Sequence, residues 1–180
     1  MKIAGPKLLE KAASIRFAVF DVDGVMTGGE ILLGPDGEEF KRFHAQDGLG
    51  LVLLLRSGIE VGVISSRHSQ AVSRRMESLG VRHVLQGQSD KLKALQSLLE
   101  TTGIDARDTA FTGDDLVDLP AMQIAGLSIA VANARPVVQQ QADWITSDRG
   151  GEGAVREICE LLLEARGMLV QHINHYLRKN

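Results

Sequence analysis

Two aspartates, Asp21 and Asp23, lie at the end of an apolar run in the stretch FAVFDVDGVMT. Alternate side chains of a strand point to the same face, so the two carboxylates would share a face only if the strand continued through both. If the strand instead ends at Asp21, the two acids can converge on one small charged ligand. The pair therefore raises the question of which ligand needs two carboxylates at the end of a buried strand.

Polar groups also follow three other apolar runs of the chain. In chain order these groups are Ser65, Lys91, Asp114, Asp115 and Asp118. A hydroxyl, an ammonium and several carboxylates beside an aspartate pair are suited to handling a phosphoryl group together with a divalent cation. Mg²⁺ prefers hard oxygen ligands and usually takes few protein carboxylates plus substrate phosphate. Zinc is disfavoured, because the sequence has a single cysteine, Cys159, and no histidine pair at ligand spacing near the acids.

The charges of these groups predict a mechanism. A phosphate ester dianion repels a carboxylate nucleophile, so the cation and Lys91 must neutralise it before Asp21 attacks in line. Asp23 would protonate the leaving alkoxide and later deprotonate the water that hydrolyses the aspartyl-phosphate. A crowd of acids can keep one carboxyl partly protonated by raising its pKa.

The segments that must position these residues alternate along the chain. Apolar runs lie at residues 17–21, 60–65, 83–87, 109–115 and 127–133, and each leads into turn residues. Between them, segments with apolar residues at helical spacing end at glycine, the usual C-terminal stop of a helix. This pattern predicts an α/β fold, a Rossmann-like doubly wound parallel sheet with helices on both faces. The active site should lie at the carboxyl ends of the strands, where the polar groups fall.

One segment, residues 28–43, breaks this alternation. It contains two short strand patterns around the turn sequence GPDG, which predicts a β-hairpin inserted after the first strand. A hairpin cannot extend a parallel sheet without a crossover, so it should project from the sheet. Because a lone two-stranded ribbon is marginally stable, we expect it to pack on something, and a partner subunit is a natural candidate.

Composition bounds the architecture and the partners. The length of 180 residues suits a single domain over residues 1–180, with a helical tail at about 168–180 after an interruption at Gly167. The formal net charge of -3 gives no basic field for nucleic acid or a membrane surface. The single cysteine excludes an internal disulfide and fits a reducing compartment. Without an apolar run of roughly 18 residues or a signal-peptide core, we expect a cytoplasmic protein with no nucleic-acid or membrane partner.

The motifs DVDGVMT, Ser65, Lys91 and GDDLVD, in this order on an alternating α/β chain, resemble those of the haloacid dehalogenase superfamily of phosphatases. The resemblance covers roughly residues 16–167 and includes the stretches FHAQDGLG, QGQSDKL and GGEGAVREICELLLEARG. It is strongest to small members of the superfamily that lack a substantial cap domain. It implies Mg²⁺-dependent hydrolysis of a sugar-acid phosphate, 3-deoxy-D-manno-octulosonate 8-phosphate, through an aspartyl-phosphate. It also implies a role in lipopolysaccharide precursor synthesis and a homotetramer assembled through the hairpin.

The resemblance further implies roles for individual residues. Asp21 is the nucleophile and a Mg²⁺ ligand, and Asp23 is the acid/base that binds the metal through its backbone carbonyl. Asp114 supplies the remaining protein carboxylate on the metal. Ser65 and Lys91 hold the transferring phosphoryl group.

The resemblance also implies supporting and substrate contacts. Asp115 and Asp118 orient metal-bound water and Lys91. The implied substrate contacts are Asp23, His44, Ala45, Gln46, Asp47, Gly48, Arg67, Arg75 and Lys91. Arginine suits a substrate carboxylate, because its planar fork pairs with it bidentately. Two positions depart from the family pattern: Gln46 stands where arginine is common, and Ser66 stands where glycine is common.

Other interpretations remain open. A nonulosonate 9-phosphate phosphatase, acting on a sialic-acid-type sugar, would use the same chemistry. A non-catalytic phospho-receiver module would also use an aspartate, a lysine and Mg²⁺, but it has no need for an acid at Asp23. If these residues have no catalytic role, Ser65 would be a helix N-cap and Lys91 a solvated lysine at a helix start. Arg67 and Arg75 would then lie on a solvated helix face.

Overall fold

The structure is a computed structural model that describes residues 5–178. In chain order its strands are β1 (Phe17–Phe20), β2 (Leu32–Leu33), β3 (Glu39–Phe40), β4 (Glu60–Ile64), β5 (His83–Leu85), β6 (Thr109–Gly113), β7 (Leu127–Ala130) and β8 (Trp144–Ile145). The helices are α1 (Pro6–Ser14), α2 (Ala45–Arg56), α3 (Gln70–Leu79), α4 (Lys91–Thr102), α5 (Leu119–Ile124), α6 (Pro136–Gln141), α7 (Ala154–Ala165) and α8 (Leu169–Leu177). Short 3₁₀ turns at Ala106–Asp108 and Leu116–Asp118 precede β6 and α5.

The main sheet is parallel and doubly wound, as the alternating pattern predicts. Within residues 5–178 it has 6 strands in the order β5-β4-β1-β6-β7-β8. From β1 the chain moves outward through β4 to β5, then returns to β6 on the other side of β1 and continues to β8. The direction of winding therefore changes between β1 and β6, and ligands of open α/β sheets bind at the carboxyl ends of the strands at such a point.

The core lies between this sheet and the helices on its two faces. Strands β1 and β6 are buried along their whole length, as expected for strands covered on both sides. Helix α2 packs against α3 and α7, and α7 also packs against α1, while α4, α5 and α6 pack in series. Right-handed crossovers place these two sets of helices on opposite faces of the sheet. Large side chains such as Phe17, Phe111 and Leu51 are fully buried between the layers.

Helix α4 shows how local sequence sets an element and positions a site residue. Asp90 caps its N-terminus, because the side chain accepts a hydrogen bond from the backbone N–H of Lys93 at 3.1 Å. Gly103, with φ of 65°, ends it in the left-handed conformation that favours glycine. Leu95 and Leu98 face the core. Lys91 is consequently the first helical residue and emerges at the carboxyl end of the sheet.

The hairpin predicted at residues 28–43 is present and stays separate from the main sheet. Strands β2 and β3 pair antiparallel, with Leu32 opposite Phe40 and Leu33 opposite Glu39. Its apolar side chains remain open to solvent, with exposed fractions of 52% for Ile31, 67% for Leu33 and 50% for Phe40. Within residues 5–178 no cap domain interrupts the fold, in agreement with the prediction.

The C-terminal segment follows the predicted break. Helix α7 ends at Ala165, Gly167 interrupts the chain, and α8 packs against α7. The described part of the predicted tail at 168–180 ends at residue 178, so residues 179–180 lie outside the description, as do residues 1–4. The single domain over residues 1–180 stays a prediction. None of the helices between residues 5 and 178 combines the length and apolar character needed to cross a membrane.

Three elements of the fold were absent from the sequence prediction. They are helix α1, helix α6 and the edge strand β8. The strand comprises only Trp144 and Ile145, and its pairing with β7 begins opposite Ile129. Two residues are too few to show a period, so tertiary pairing rather than local pattern defines this strand.

Candidate active site

The candidate site lies where β1 and β6 end. The backbone N–H of Asp21 still pairs with Thr112 of β6 at 3.0 Å, and the chain then turns, because the N–H of Met26 bonds to the carbonyl of Val22 at 2.9 Å. The strand therefore ends at Asp21, and Asp23 lies in the turn. A cleft of about 270 Å³ opens here, and its lining is Asp21, Asp23, Gly29, Ser65, Ser66, Arg67, Lys91, Asp114, Asp115 and Val117.

Lys91 lies between two carboxylates at the base of the cleft. Its Nζ is 2.8 Å from Oδ1 of Asp21 and 2.6 Å from Oδ1 of Asp118. Lys91 is buried, and burial alone would lower the pKa of its ammonium, but the two carboxylates outweigh burial and raise that pKa. Lys91 therefore remains charged, and its position beside Asp21 is fixed by two ion pairs.

Asp118 organises the loop after β6. Its Oδ2 accepts hydrogen bonds from the backbone N–H groups of Asp114 and Asp115, at 2.9 and 3.1 Å, while its Oδ1 accepts from Lys91. The side chain is fully buried, so these contacts satisfy a carboxylate that has no access to water. Asp115 in turn accepts the N–H of Leu116 at 2.8 Å and remains at the mouth of the cleft.

The acids of the cleft carry more negative charge than Lys91 can balance. Oxygens of Asp21, Asp114 and Asp118 all lie within 4.8 Å of one another. Burial, followed by the charge of Asp118, raises the pKa of Asp21 to about 6. Burial, followed by the charges of Asp21 and Asp118, raises the pKa of Asp114 to about 7. With all three acids ionised and Lys91 protonated, two negative charges remain uncompensated.

These residues fit a divalent cation with hard oxygen ligands. Both oxygens of Asp118 already accept hydrogen bonds, so the carboxylates of Asp21 and Asp114 remain for a metal ion. The backbone at Gly24, with φ of 91°, passes so close to Asp114 that a Cβ there would lie 2.1 Å from its Oδ2. Only glycine allows this approach, which brings the turn after Asp21 against the second carboxylate.

The carboxyl group of Asp23 lies apart from the three clustered acids. Its Oδ1 forms an ion pair with Nζ of Lys41, and its Oδ2 is 3.9 Å from Nε of Arg67. Asp23 nevertheless lines the same cleft as Asp21 and Asp114. The carboxyl groups of the two aspartates in the DVD sequence therefore face different partners.

Ser65 and Arg67 complete the rim after β4. Ser65 is buried, and its Oγ accepts the backbone N–H of Arg67 at 3.2 Å. The side chain of Arg67 is 44% exposed, and its Nη2 donates to Oε2 of Glu39 at 2.5 Å. Asp118 does not line the cleft but binds Lys91 beneath it. Seven predicted positions line the cleft, namely Asp21, Asp23, Ser65, Arg67, Lys91, Asp114 and Asp115.

The remaining predicted positions do not line this cleft within one chain. They are His44, Ala45, Gln46, Asp47, Gly48 and Arg75. Asp47 is buried, and its Oδ1 accepts the backbone N–H of Arg156 at 2.9 Å, so its carboxyl group caps the first turn of α7. Arg75 of α3 lies against Gly48, where a Cβ would be 2.1 Å from its Nη2. Substrate contacts at these six positions stay predictions.

Two residues of the site were missed in the sequence. They are Glu39 and Lys41, which reach the rim of the cleft from the hairpin. The available signal was their spacing, because residues two apart on a strand share a face, while Phe40 between them faces the other way. That spacing indicates a polar face, but it does not indicate what the face meets.

Comparison with known proteins agrees with this geometry. Residues 64–158 match the family model of the haloacid dehalogenase-like hydrolases. A curated relative, the 3-deoxy-D-manno-octulosonate 8-phosphate phosphatase of Salmonella typhimurium, is 47% identical over 164 residues, which is 91% of this chain and 87% of the relative.

Solved structures give the same result. One is the corresponding phosphatase of Moraxella catarrhalis, in complex with a magnesium ion, a phosphate ion and a KDO molecule. It is 42% identical to this chain, with a TM-score of 0.94, and the match covers 96% of this chain and 99% of that one. The cobalt-bound form of the Haemophilus influenzae phosphatase is 38% identical with a TM-score of 0.90 over 93% and 99% of the two chains. The chain therefore belongs to the haloacid dehalogenase-like hydrolases, and curated relatives that are 47% identical to it are 3-deoxy-D-manno-octulosonate 8-phosphate phosphatases.

Proposed function

We propose that the protein is a Mg²⁺-dependent phosphomonoesterase that hydrolyses 3-deoxy-D-manno-octulosonate 8-phosphate to the free sugar acid and phosphate, a step in lipopolysaccharide precursor synthesis. The observation that carries the proposal is the meeting of Asp21, Lys91 and Asp114 at the switch point of the sheet. The names of the relatives support the substrate, and the Moraxella catarrhalis complex supports the cation. Membership of a hydrolase family argues against the non-catalytic receiver.

The residues of the cleft perform the proposed reaction in two halves. Asp21 attacks phosphorus in line, and Asp23 gives a proton to the leaving sugar oxygen as the P–O bond breaks. Asp23 then takes a proton from the water that attacks the aspartyl-phosphate, which releases phosphate and regenerates Asp21. Ser65 and Lys91 hold the phosphoryl oxygens through both halves.

The raised pKa values of the acids agree with a cation as part of the resting site. Asp21, Asp114 and the backbone carbonyl of Asp23 would hold Mg²⁺, which would supply charge that neutralises the phosphoryl oxygens. Lys91 alone balances only one of the three clustered carboxylates. The proposal therefore requires that chelation abolish turnover and that Mg²⁺ restore it.

Phosphate release from 3-deoxy-D-manno-octulosonate 8-phosphate tests the function. We expect Mg²⁺-dependent turnover, loss of turnover in Asp21→Asn, and normal turnover in Asp36→Asn, which changes an exposed carboxyl at the hairpin turn. Both variants should keep the far-ultraviolet circular dichroism of the parent. Near-normal activity in Asp21→Asn would rule out this nucleophile, and no turnover with a stable phosphoaspartate would favour a receiver.

A second substrate has a specific observation in its favour. Ser66 replaces the glycine common in the family and lines the cleft, and Gln46 replaces a common arginine at the exposed start of α2. These changes can alter the fit of the sugar, and a nonulosonate 9-phosphate is the alternative substrate that uses the same chemistry. A panel of eight- and nine-carbon sugar-acid phosphates compared by kcat/KM decides between them.

We also propose that the hairpin assembles a homotetramer. Its exposed apolar side chains form an unpartnered surface on a ribbon that is marginally stable alone; they are Ile31, Leu32, Leu33 and Phe40. Leu33→Lys should convert the tetramer to smaller species in light scattering coupled to size exclusion, whereas Glu38→Gln on the same ribbon should not. A monomeric parent protein would overturn this assembly. Location in the cytoplasm stays a prediction.

A further inference from the structure

An ion-pair ring joins the hairpin to the acid/base aspartate. Lys41 follows β3, and its Nζ contacts Oδ1 of Asp23 and lies 2.9 Å from Oε1 of Glu39. The second oxygen of Glu39 accepts from Nη2 of Arg67 at 2.5 Å. Nε of Arg67 is 3.9 Å from Oδ2 of Asp23, which closes the ring. Two acids and two bases alternate, so the ring has no net charge once Asp23 has given up its proton.

Lys41 is buried within this ring. Its side chain is 2% exposed, although it belongs to a ribbon whose apolar side chains are open to solvent. An ammonium group loses its hydration on burial, and this loss is unfavourable unless close anions replace the water, so Lys41 is held by Asp23 and Glu39. Hydrogen bonds from Arg67 and Lys41 lower the pKa of Glu39 to about 2. Glu39 is therefore ionised at neutral pH and remains a fixed partner for both bases.

The ring also attaches the ribbon to the sheet. In the described part of the chain, Lys41 and Glu39 make the side-chain ion pairs that join residues 31–42 to the loops of the cleft. Phe40 points the opposite way and is half exposed. Glu39 and Lys41 are therefore directed at Asp23, whereas Phe40 and its cross-strand partner Leu32 lie on the other face of the ribbon.

The orientation of Asp23 follows from these contacts. With Oδ1 engaged by Lys41, the carboxyl group can rotate only by breaking an ion pair that Glu39 reinforces. Oδ2 is then the oxygen left for proton transfer in the cleft that Asp23 and Arg67 line together. A misplacement of about 1 Å at such a group can cost roughly 100-fold in rate.

We propose that Lys41, held by Glu39, is a positioning residue that directs Oδ2 of Asp23 toward the oxygen of the leaving group. The inference rests on the proposed phosphomonoesterase function, in which Asp23 carries the proton. In the first half the proton leaves Oδ2 for the ester oxygen, the P–O bond breaks and the bond from Asp21 to phosphorus forms. In the second half Oδ2 recovers a proton from water as that bond breaks, and Lys41 exchanges no proton in either half.

Leaving-group dependence separates this role from a structural one. An alkyl phosphate needs a proton on its leaving oxygen, whereas p-nitrophenyl phosphate releases a stable anion without one. Lys41→Met should lower kcat/KM for the best alkyl phosphate by about 10- to 100-fold, which is part of the effect of a positioned acid. kcat/KM for p-nitrophenyl phosphate should change less than about threefold, because kcat/KM covers only the steps up to departure of the leaving group and excludes the second half that both substrates share. Lys41→Arg should restore most of the loss, because it keeps the charge and a donor.

Three comparisons complete the test. Arg42→Met removes a neighbouring exposed charge and should leave both activities unchanged. In an Asp23→Asn background, Lys41→Met should add less than about a twofold loss, because residues that act as a unit are not additive. Glu39→Gln should reproduce a weaker form of the Lys41→Met pattern, and it replaces that variant if Lys41→Met does not fold. The rise in Tm on adding Mg²⁺ should be the same in all folded variants.

Specific outcomes overturn the inference. Equal losses on both substrates, or full additivity with Asp23→Asn, would assign Lys41 to structural support. Loss of the Mg²⁺-induced rise in Tm in Lys41→Met would assign it to the metal site. A parent protein that releases phosphate from neither substrate would overturn the proposed function as well, whereas an active parent with unchanged Lys41→Met would overturn the positioning role alone.

Discussion

Replacing Asp114 with asparagine should stabilise the metal-free protein while removing its response to Mg²⁺. Asp114 is crowded by Asp21 and Asp118, and burial together with their charges raises its pKa from 3.8 to about 7. Because this pKa is higher in the folded state than in the unfolded state, protonation of Asp114 stabilises the fold. That stabilisation is complete below about pH 3.8 and is lost as the pH rises through about 7. At pH 8 without metal, its ionised form therefore opposes folding, and asparagine removes that opposition.

The size of the effect follows from the pKa difference. At about 1.4 kcal/mol per pKa unit, the ionised Asp114 costs at most roughly 4 kcal/mol at pH 8. Because Asp114 is half-buried at the edge of an open cleft, solvent screening reduces this figure to about 2 kcal/mol. For a chain of this size, 1 kcal/mol moves Tm by about 2–4 °C. We therefore expect Asp114→Asn to raise the metal-free Tm by roughly 4–8 °C at pH 8.

Calorimetric unfolding in EDTA at pH 8 and pH 5 is the assay. The advantage of Asp114→Asn should fall to less than half at pH 5, where the parent carboxyl in the folded state is already protonated. Adding Mg²⁺ should raise Tm of the parent protein and leave the variant nearly unchanged. Glu100→Gln, which removes an exposed carboxylate of α4, is the control and should show neither effect. A lower metal-free Tm for Asp114→Asn at pH 8, or an advantage independent of pH, would refute the reasoning.

Three further substitutions probe other parts of the fold. Gly150→Ala should lower Tm by several degrees and reduce kcat in the phosphate-release assay, because its Cβ would lie 1.7 Å from the carbonyl oxygen of Gly24 and displace the turn after β1. Asp47→Ala should cost about 1–2 kcal/mol in urea unfolding, because it removes the cap on the N–H of Arg156; an unchanged midpoint would contradict this role. His172→Ala should increase amide hydrogen exchange in α8 with little change in global Tm. The substitution removes a 2.7 Å hydrogen bond between Nε2 of His172 and the hydroxyl of Ser57, which follows α2.

The sequence was sufficient for strands β1, β4, β5, β6 and β7 of the sheet and for the base of the site. Buried strands with continuous apolar runs, each followed by polar residues, predict a parallel sheet, and the carboxyl ends of parallel strands meet at one edge. Asp21, Lys91 and Asp114 meet there for this reason, although they are far apart in the chain. The prediction required no side-chain detail, because the topology alone brings these positions together.

The part of the rim that the hairpin supplies could not be predicted in the same way. A two-stranded ribbon has no fixed direction relative to the sheet, so nothing local to residues 28–43 states which loop its polar face meets. Long-range ion pairs fix that direction, namely those of Lys41 with Asp23 and of Glu39 with Arg67. The contact of the Asp47 carboxyl group with α7 was likewise not predictable, because it depends on how α2 and α7 pack.

The hairpin connects the proposed assembly to the proposed chemistry through strand geometry. Phe40 and Lys41 are adjacent in an extended segment, so fixing one side chain restricts the backbone that carries the other. Burial of Phe40 against a partner would therefore hold Lys41 against Asp23, whereas a solvated ribbon holds it through the ion pairs alone. Leu32→Lys, which places the charge opposite Phe40 and should dissociate the tetramer as Leu33→Lys does, should consequently lower kcat/KM for an alkyl phosphate more than for p-nitrophenyl phosphate. Equal activity of the dissociated and assembled forms on both substrates would show that the ring orients Asp23 without help from a neighbouring subunit.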